Sequence, residues 1–401
     1  MSEQQTQSTT AFDLVIIGGG IGGLWLLNRA CNAGYNAILF EQEALGNEQT
    51  IASQGMIHGG IKYALSGALS GSSEAIADMP DHWRRCLRGE GDVDLRTADV
   101  LSEHFYFWSS QSIGSRMTSF FASKFTRCRV DKIKKEQRPA IFDDPLFKGS
   151  LYKSIDIVLD VPSVLSSLYG NYADRIFKID WSESKLVRNQ STGRLDGLKI
   201  GDNTISANHF VFSAGKGNQG LMGAIAVEKP EMQIRPLQQV IFTHDCHLPI
   251  YAHCLGANPS PRLTISSHKT ESGKTAWYLG GDLATEGVND SPEQLIAKAK
   301  AEIAELFPWI DFGETAWSTL PVDRAEPKQK GLIKPDKAFA AKAEGCENLI
   351  VAWPTKLTLA PNMADEVLAL LPASTGKECS KTIMPEILQN LTKPTIAKAH
   401  W

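Results

Sequence analysis

Residues 12–23 read FDLVIIGGGIGG, an apolar run that passes directly into a cluster of glycines. The run 12–17 suits a strand that is buried on both faces of a parallel sheet. A helical pattern follows over 24–33, and a second apolar strand, 37–40, leads to Glu41. The order of strand, glycine turn, helix, strand and acidic residue predicts a βαβ unit.

The glycines of this turn have separate physical roles. Gly18 permits the tight turn, Gly20 lets the backbone approach a pyrophosphate, and Gly23 allows the helix to pack closely on the strand. The helix N-terminus then presents free N–H groups and a positive dipole to phosphates. Glu41 stands where a carboxylate accepts ribose hydroxyls. We therefore predict a dinucleotide site.

The stretch after Glu41 distinguishes FAD from NAD. In NAD enzymes the next strands usually follow at once, whereas residues 45–73 are rich in glycine and serine and show little helical patterning. An extended segment of this kind suits a long cofactor lying along it. FAD is therefore the expected cofactor, and NAD is the alternative.

Composition limits the classes of protein to consider. A chain of 401 residues is too long for one ordinary core, so two or three units are expected. The net charge of −4 gives no basic field for nucleic acid, so an anionic substrate must be bound by local Lys and Arg. The start of the chain is polar, and no run of about eighteen apolar residues occurs. We expect a cytoplasmic protein.

The seven cysteines are scattered along the chain. Cys246 and Cys254, with His247 and His253 between them, come nearest to a zinc pattern, but their spacing matches no common tetrahedral site. We expect reduced, mostly buried thiols and no metal.

Residues 53–63 read SQGMIHGGIKY and contain the strongest catalytic candidate. Glycines beside His58 let the backbone approach a flat group and leave the imidazole projecting. The ordinary pKa of histidine, near ~6.5, suits a catalytic base. In the alternative reading, His58 only hydrogen-bonds the flavin or its own loop.

This stretch resembles FAD-dependent glycerol-3-phosphate dehydrogenases and their relatives in the D-amino-acid oxidase superfamily. Residues 58–63, HGGIKY, are similar to the flavin-proximal motif of those enzymes, and 54–58, QGMIH, are closer to 2-hydroxyglutarate dehydrogenases. Residues 354–359, PTKLTL, resemble a later segment in which Gly-Gly-Lys precedes a threonine pair and a helix. Here Pro354 and Thr355 stand in place of the two glycines.

The resemblance implies an α/β fold. A Rossmann-like FAD-binding domain, discontinuous in sequence, carries an inserted α+β substrate domain built on a mainly antiparallel sheet. The expected FAD-binding parts are 12–85, 151–228 and 319–375, the substrate parts are 86–150 and 229–318, and 376–401 is a tail. Asp160 is expected to cap a helix, and 291–306 to form an amphipathic helix.

The expected site combines this resemblance with residue chemistry. His58 is the candidate base, Lys62 and Arg324 would hold a carboxylate or phosphate, and Tyr63 would close the pocket. Lys356 would stabilise negative charge on reduced flavin. The expected cofactor contacts are Gly18, Gly20, Gly23, Glu41, Ser53, Gln54, Gly55, Met56, Gly59, Ala214, Gly215, Lys356, Leu357 and Thr358.

Three assignments have alternatives. Arg324 either holds substrate or forms an ion pair with Asp323 or Glu326. His268 is a weaker candidate and is expected in an exposed turn. Residues 113–138 combine apolar helical spacing with many basic side chains, so they form either a helix packed over the substrate domain, which is favoured, or a peripheral membrane contact near quinone.

The expected reaction is oxidation of a CH–OH carbon in a small anionic substrate, a 2-hydroxy acid or polyol phosphate, by hydride transfer to flavin N5. Electrons would pass to quinone, oxygen or another acceptor. An amine or amino-acid oxidase on the same fold is one alternative. A flavin-binding protein without turnover is the other.

Overall fold

The computed structural model describes the stretch 354–359 completely and the stretch 53–63 as far as Gly59. The described residues are 11–59, 76, 78–109, 130–256, 258, 260–330, 335, 337–374, 376, 379 and 384–401. Lys62, Tyr63 and residues 113–129 lie outside them.

The described strands fall into three sheets. They are β1 Ala11–Ile17, β2 Ala37–Glu41, β3 Met56–Ile57, β4 Val100–Ser102, β5 Phe105–Ser109, β6 Val130–Lys132, β7 Ser150–Ser154, β8 Ile157–Leu159, β9 Ile176–Lys178, β10 Ser184–Arg188, β11 Leu195–Ile200, β12 Asn203–Phe212, β13 Met232–His244, β14 Tyr251–Leu255, β15 Pro261–Lys269, β16 Thr275–Gly280, β17 Ala316–Pro327, β18 Phe339–Ala343 and β19 Cys346–Trp353.

Helices connect and cover these sheets. The described helices are α1 Ile21–Asn32, α2 Met79–Leu87, α3 Val161–Asn171, α4 Gly217–Ala224, α5 Asp282–Glu286, α6 Pro292–Leu306, α7 Ala360–Ala369 and α8 Glu386–Gln389. Short 3-10 turns occupy Lys135–Gln137, Ala140–Phe142, Ala173–Arg175, Gly287–Asn289 and Leu357–Leu359.

The first sheet has a parallel centre in the order β9-β2-β1-β12-β19. Its strands are buried on both faces, with α1, α3 and α7 packed on one side and a second apolar cluster on the other. Parallel strands end at a common edge, and ligands of such sheets bind at that edge. The turns after β1, β2, β12 and β19 therefore meet there, although they come from distant parts of the chain.

The glycine turn after β1 is shaped by close contact. Gly18 has a φ of +113°, and a Cβ there would lie 2.5 Å from the Ser213 carbonyl oxygen. A Cβ on Gly23 would lie 1.9 Å from the Gly18 oxygen. Helix α1 begins at Ile21, three residues before its predicted start, because the last two glycines form its first turn.

The second sheet has the order β17-β13-β16-β15-β14-β5-β7-β6. Only the β14–β5 pair among these described strands is parallel, so the predicted mainly antiparallel sheet is confirmed. Side chains alternate between its faces. One face packs against α6 through an apolar cluster that includes Val240, Leu263, Ile265, Trp277 and Leu279. The other face carries polar and aromatic groups.

The third sheet, β3-β8-β4, is small but decides where His58 lies. Strand β3 pairs antiparallel with β8, with Ile57 opposite Ile157. Gly55, with φ +69°, accepts a hydrogen bond from the Leu159 N–H. His58 therefore leaves the sheet beside Asp156.

Several local predictions can be compared with the structure. The Asp160 side chain accepts a hydrogen bond from Ser163 N and caps α3, as predicted. Helix α6 is confirmed, with a capping box formed by Ser291 and Gln294. Of the predicted helix over 113–138 the structure describes residues 130–138, and there the prediction is wrong. Val130–Lys132 is a strand and Lys135–Gln137 a 3-10 turn.

Across the described residues, no helix combines the length and the apolar character that crossing a membrane requires.

Replacing Gly23 by Ala is expected to disrupt the first βαβ unit, because the new Cβ would overlap the Gly18 carbonyl. The variant should lose bound FAD and melt at a lower temperature. Gly220→Ala in α4 is the matched control, since a Cβ there meets nothing within 4 Å. It should gain about 0.5–1 kcal/mol in the free energy of unfolding. Normal flavin content in Gly23→Ala would contradict the packing argument.

Candidate active site

The carboxyl edge of the first sheet gathers several predicted cofactor contacts. Glu41 ends β2, and its carboxylate accepts hydrogen bonds from Gly19 N at 2.6 Å and Glu43 N at 2.9 Å. Two backbone bonds leave lone pairs on this carboxylate for ribose hydroxyls. The neighbouring β12 ends in the turn with Ala214 and Gly215, where Gly215 has a φ of +56°. This edge therefore places Glu41 and the glycine turn after β1 beside the turn that contains Ala214 and Gly215.

A threonine hydroxyl joins the two distant motifs. Thr358 Oγ1 accepts a hydrogen bond from His58 N at 3.2 Å and donates one to the Met56 oxygen at 3.3 Å. The Thr358 carbonyl in turn accepts from Trp83 Nε1 at 3.1 Å. Thr358 is 2% exposed, so these bonds are shielded from water. The loop that follows β19 therefore lies directly against the His58 loop.

The imidazole of His58 lies beside a buried carboxylate. His58 Nδ1 is 3.5 Å from Asp156 Oδ2, and the Asp156 side chain is only 2% exposed. The other oxygen, Oδ1, accepts a hydrogen bond from Gly59 N at 2.8 Å. Asp156 therefore contacts both the backbone of this loop, at Gly59, and the imidazole of His58. Sequence reasoning missed Asp156; its signal is a lone acidic residue inside the apolar run 155–159.

Aromatic groups of the second sheet face His58. The ring of His253, on β14, stacks with the His58 ring at a centroid distance of 5.5 Å and an angle of 27°. Phe105 meets His253 edge-on at 4.5 Å. His253 is 1% exposed. The second sheet thus supplies an aromatic wall next to the candidate base.

The loop before His58 is fixed to the same sheet. The Gln54 carboxamide donates to the carbonyls of Tyr278 and Thr264 and accepts from Thr264 Oγ1. The Tyr278 hydroxyl lies 2.8 Å from the Ala52 oxygen and 2.6 Å from the Gln239 carboxamide. It has a single hydrogen, so it donates to Ala52 while the Gln239 amide, turned over, donates to it. Gln54 therefore positions the loop through its side chain.

The later loop carries backbone strain beside Lys356. Thr355 has a φ of +60°, a region that disfavours β-branched residues. Its hydroxyl donates to the Lys337 oxygen at 2.9 Å, which helps to hold this conformation. Glycine adopts such a φ without strain, which explains why the resembling enzymes carry glycines here. Lys356 follows in extended backbone and precedes the turn Leu357–Leu359.

Comparison with known proteins agrees with this arrangement. The family described as DAO, FAD dependent oxidoreductase, matches residues 13–369. The probable FAD-dependent oxidoreductase PA4991 of Pseudomonas aeruginosa is 45% identical over 391 residues, covering 97% of each protein. The chain belongs to the DAO family of FAD-dependent oxidoreductases. The predicted family, enzyme class and FAD cofactor are confirmed.

Solved structures of the DAO family share the fold. The crystal structure of PA4991 matches 99% of both chains with a TM-score of 0.82 and 39% identity. Glycine oxidase from Geobacillus kaustophilus matches 94% of this chain and all of its own, with a TM-score of 0.62 and 13% identity. FAD-bound L-α-glycerophosphate oxidase from Mycoplasma pneumoniae covers 90% and 95%, at 0.62 and 14%. The last two likenesses concern the fold alone.

The residues at the carboxyl edge fit the FAD of the DAO family. A Cβ at Gly20 would meet only Thr50 Oγ1, at 3.3 Å, so backbone can approach a phosphate there. Ser53 Oγ is buried and has no hydrogen-bond partner among the described residues. A buried hydroxyl of this kind costs stability unless a ligand or water bonds it. Glu41, Gly20 and Ser53 would therefore hold FAD.

Arg324 lies on β17, opposite Arg235 of β13. Its guanidinium donates to the Arg235 oxygen at 3.0 Å and the Pro236 oxygen at 3.4 Å. Burial, reinforced by Arg235, lowers the pKa of Arg324 to about 10. Glu326 pairs with Arg235, at 2.7 Å. The predicted role of Arg324 in holding substrate stays a prediction.

The expectation of an exposed turn at His268 is wrong. His268 is 4% exposed and lies within β15, on the polar face of the second sheet. Burial lowers its pKa to about 3, so the ring is neutral. The sequence could not indicate this because the ring is covered by the distant Trp401, stacked 3.8 Å away.

A His-Cys-Asp cluster lies on α2 and the following loop. His82, Cys86 and Asp92 bring their ligand atoms within 4.8 Å of one another. Arg85 contacts His82 Nδ1 at 3.4 Å, and Arg29 lies 3.5 Å from Asp92. A metal-binding histidine normally donates its second ring N–H to an acceptor, and neighbouring cations repel a metal. The cluster therefore serves as a hydrogen-bonded anchor.

Replacing Thr358 by Val is expected to separate the two loops, because the hydroxyl that joins His58 N to the Met56 oxygen is lost. The free energy of unfolding should fall by about 1–3 kcal/mol relative to Thr358→Ser, which keeps the hydroxyl. Chemical denaturation of both variants measures the difference. Equal stability of the valine and serine variants would contradict the role of this hydroxyl.

Proposed function

We propose that the protein oxidises the CH–OH carbon of a small anionic substrate, a 2-hydroxy acid or polyol phosphate, with His58 as the base. The observation that carries this proposal is the contact between His58 and buried Asp156, in a loop bonded to Thr358. When bound, FAD supplies a hydride acceptor at N5 of its isoalloxazine ring.

Asp156 acts on His58 as a positioning residue. Its Oδ2 lies 3.5 Å from Nδ1, so the carboxylate favours a proton on that nitrogen and leaves Nε2 as the basic atom. A carboxylate at this distance also stabilises the imidazolium that forms when Nε2 accepts a proton. Histidine with an orienting carboxylate is a recurrent arrangement for general base catalysis.

A base next to the oxidised carbon favours an alcohol substrate over an amine. An alcohol must lose its O–H proton as the carbonyl forms, and His58 is the base that we propose to accept it. A neutral amine can lose hydride with the help of its own lone pair and gives an iminium ion without a base. The His58–Asp156 pair therefore supports CH–OH oxidation, and an amine or amino-acid oxidase stays the alternative.

The anionic part of the substrate needs a cation. We keep Lys62, Arg324 and Tyr63 as the proposed binding groups, and Lys356 as the residue that stabilises negative charge on reduced flavin. This role is supported by the position of Lys356 directly before the turn Leu357–Leu359, whose Thr358 hydroxyl bonds the His58 loop.

Anaerobic mixing of the holoenzyme with a substrate panel tests the reaction class. We expect a 2-hydroxy acid or a polyol phosphate to bleach the flavin absorbance, because His58 can accept the hydroxyl proton. The panel includes amino acids and N-methyl amino acids. Bleaching by those compounds alone would establish the amine alternative, and a flavin that no compound bleaches would indicate binding without turnover.

Replacing His58 by Gln is expected to slow flavin bleaching by a factor of about 10²–10⁴, since proton transfer loses its base. FAD content should stay normal. His209→Gln, on β12, is the matched control and should keep the natural rate. Stopped-flow measurement with the best panel substrate gives both rates. A rate within threefold of the natural enzyme would rule out His58 as the base.

Replacing Asp156 by Asn is expected to change the pH–rate profile. The amide keeps an acceptor for Gly59 N and removes the charge that favours imidazolium. His58 must be neutral to accept a proton, so the acid limb should move to lower pH while the limiting rate falls about tenfold. Asp160→Asn, which keeps the helix cap, should leave the profile unchanged. An unshifted limb in Asp156→Asn would mean a structural role only.

A further inference from the structure

The polar face of the second sheet extends well beyond His58. Alternate residues of β15, namely Thr264, Ser266 and His268, lie on this face, and each is at most 4% exposed. Thr264 bonds Gln54 in the loop before His58. His268 lies four residues farther along the strand, about 13 Å away. A group at His268 is therefore distant from the carbon that is oxidised.

His268 has an unmet hydrogen-bonding atom. Its Nε2 shares a hydrogen bond of 2.8 Å with Ser266 Oγ, and both groups are buried. Its Nδ1 is buried without a partner among the described residues. A buried polar atom without a hydrogen-bond partner destabilises the folded protein unless a ligand or water bonds it.

Trp401 covers this histidine without bonding it. The indole stacks on the imidazole at a centroid distance of 3.8 Å and an angle of 24°, and lies 5.6 Å from the Tyr278 ring. The segment before it is attached to the loop after β2, where Leu45 N donates to the Thr395 oxygen and Ala397 N donates to the Leu45 oxygen. Trp401 itself is partly exposed. Stacking on His268 therefore holds the indole in place, and the preceding segment is anchored to the loop after β2.

The surroundings of His268 define the chemistry that fits there. Burial is the cause that lowers its pKa, with no contribution from a charged neighbour. A neutral imidazole in apolar surroundings does not offset the desolvation of a carboxylate or phosphate. It does bind an uncharged group that can donate to or accept from Nδ1. Tyr278 adds a flat aromatic surface beside such a group.

We propose that His268 and Ser266 form a binding site for a small uncharged, planar molecule that can form hydrogen bonds, and that Trp401 is its removable cover. A carboxamide or a similar flat group would reach His268 when the indole withdraws.

Calorimetric titration of the holoenzyme with nicotinamide tests this site without turnover. Trp401→Ala should bind nicotinamide about tenfold more tightly than the natural protein, because no stacked ring must be displaced. Trp401→Phe should lie between them. Nicotinate, the charged isostere, should gain nothing from Trp401→Ala. Trp181→Ala, which removes a partly buried indole packed against the first sheet, is the matched control and should bind like the natural protein.

His268 variants in the Trp401→Ala background complete the test. His268→Leu should abolish the gain in nicotinamide affinity, and His268→Asn, which keeps a polar atom near the position of Nδ1, should restore part of it. Flavin content and melting temperature check that each variant folds. Nicotinate gaining as much as nicotinamide, or unchanged nicotinamide binding in His268→Leu, would overturn the site. If the nicotinamide affinities change as expected but no hydroxy acid or polyol phosphate bleaches the flavin, the proposed oxidation of a CH–OH carbon is rejected and the His268 site is not.

Discussion

The central strands of the first sheet are parallel and end at one edge, and this fixes where the loops of the candidate site must lie. The turns after β1, β2, β12 and β19 must meet there, and the first two come from the start of the chain while the last comes from residues beyond 350. At Gly18 and Gly23 the turn is so tight that one added carbon would overlap backbone. The residues of this edge would hold FAD, because backbone N–H groups and Glu41 are available there.

The catalytic candidates are then brought in by smaller contacts. Two-residue strand β3 aligns His58 with Asp156, and the Thr358 hydroxyl joins this loop to the one carrying Lys356. The second sheet contributes His253 and, through Gln54, fixes the preceding loop. No single element builds the site. It lies where three sheets meet, which explains why buried polar groups concentrate there.

The sequence predicted those features that local pattern determines. The glycine turn, the Asp160 cap, helix α6 and the antiparallel strands depend on residues close in the chain, and the structure confirms them. The roles of Asp156 and His268 depend instead on contacts between distant parts of the chain. Strands β3 and β8 are too short to show periodicity, and the burial of His268 depends on Trp401, more than one hundred residues away. The predicted helix was extended over 130–138 because basic side chains continue there, but charge alone does not determine secondary structure, and this part forms a strand and a 3-10 turn.

The late position of β19 affects how the protein is made. A ribosome adds residues in order, and domains generally fold as their parts emerge. Strand β1 emerges first, yet its neighbour β12 remains without its outer partner until Cys346–Trp353 has been synthesised. The nascent chain must therefore keep this apolar sheet edge protected while the residues between β12 and β19 are synthesised.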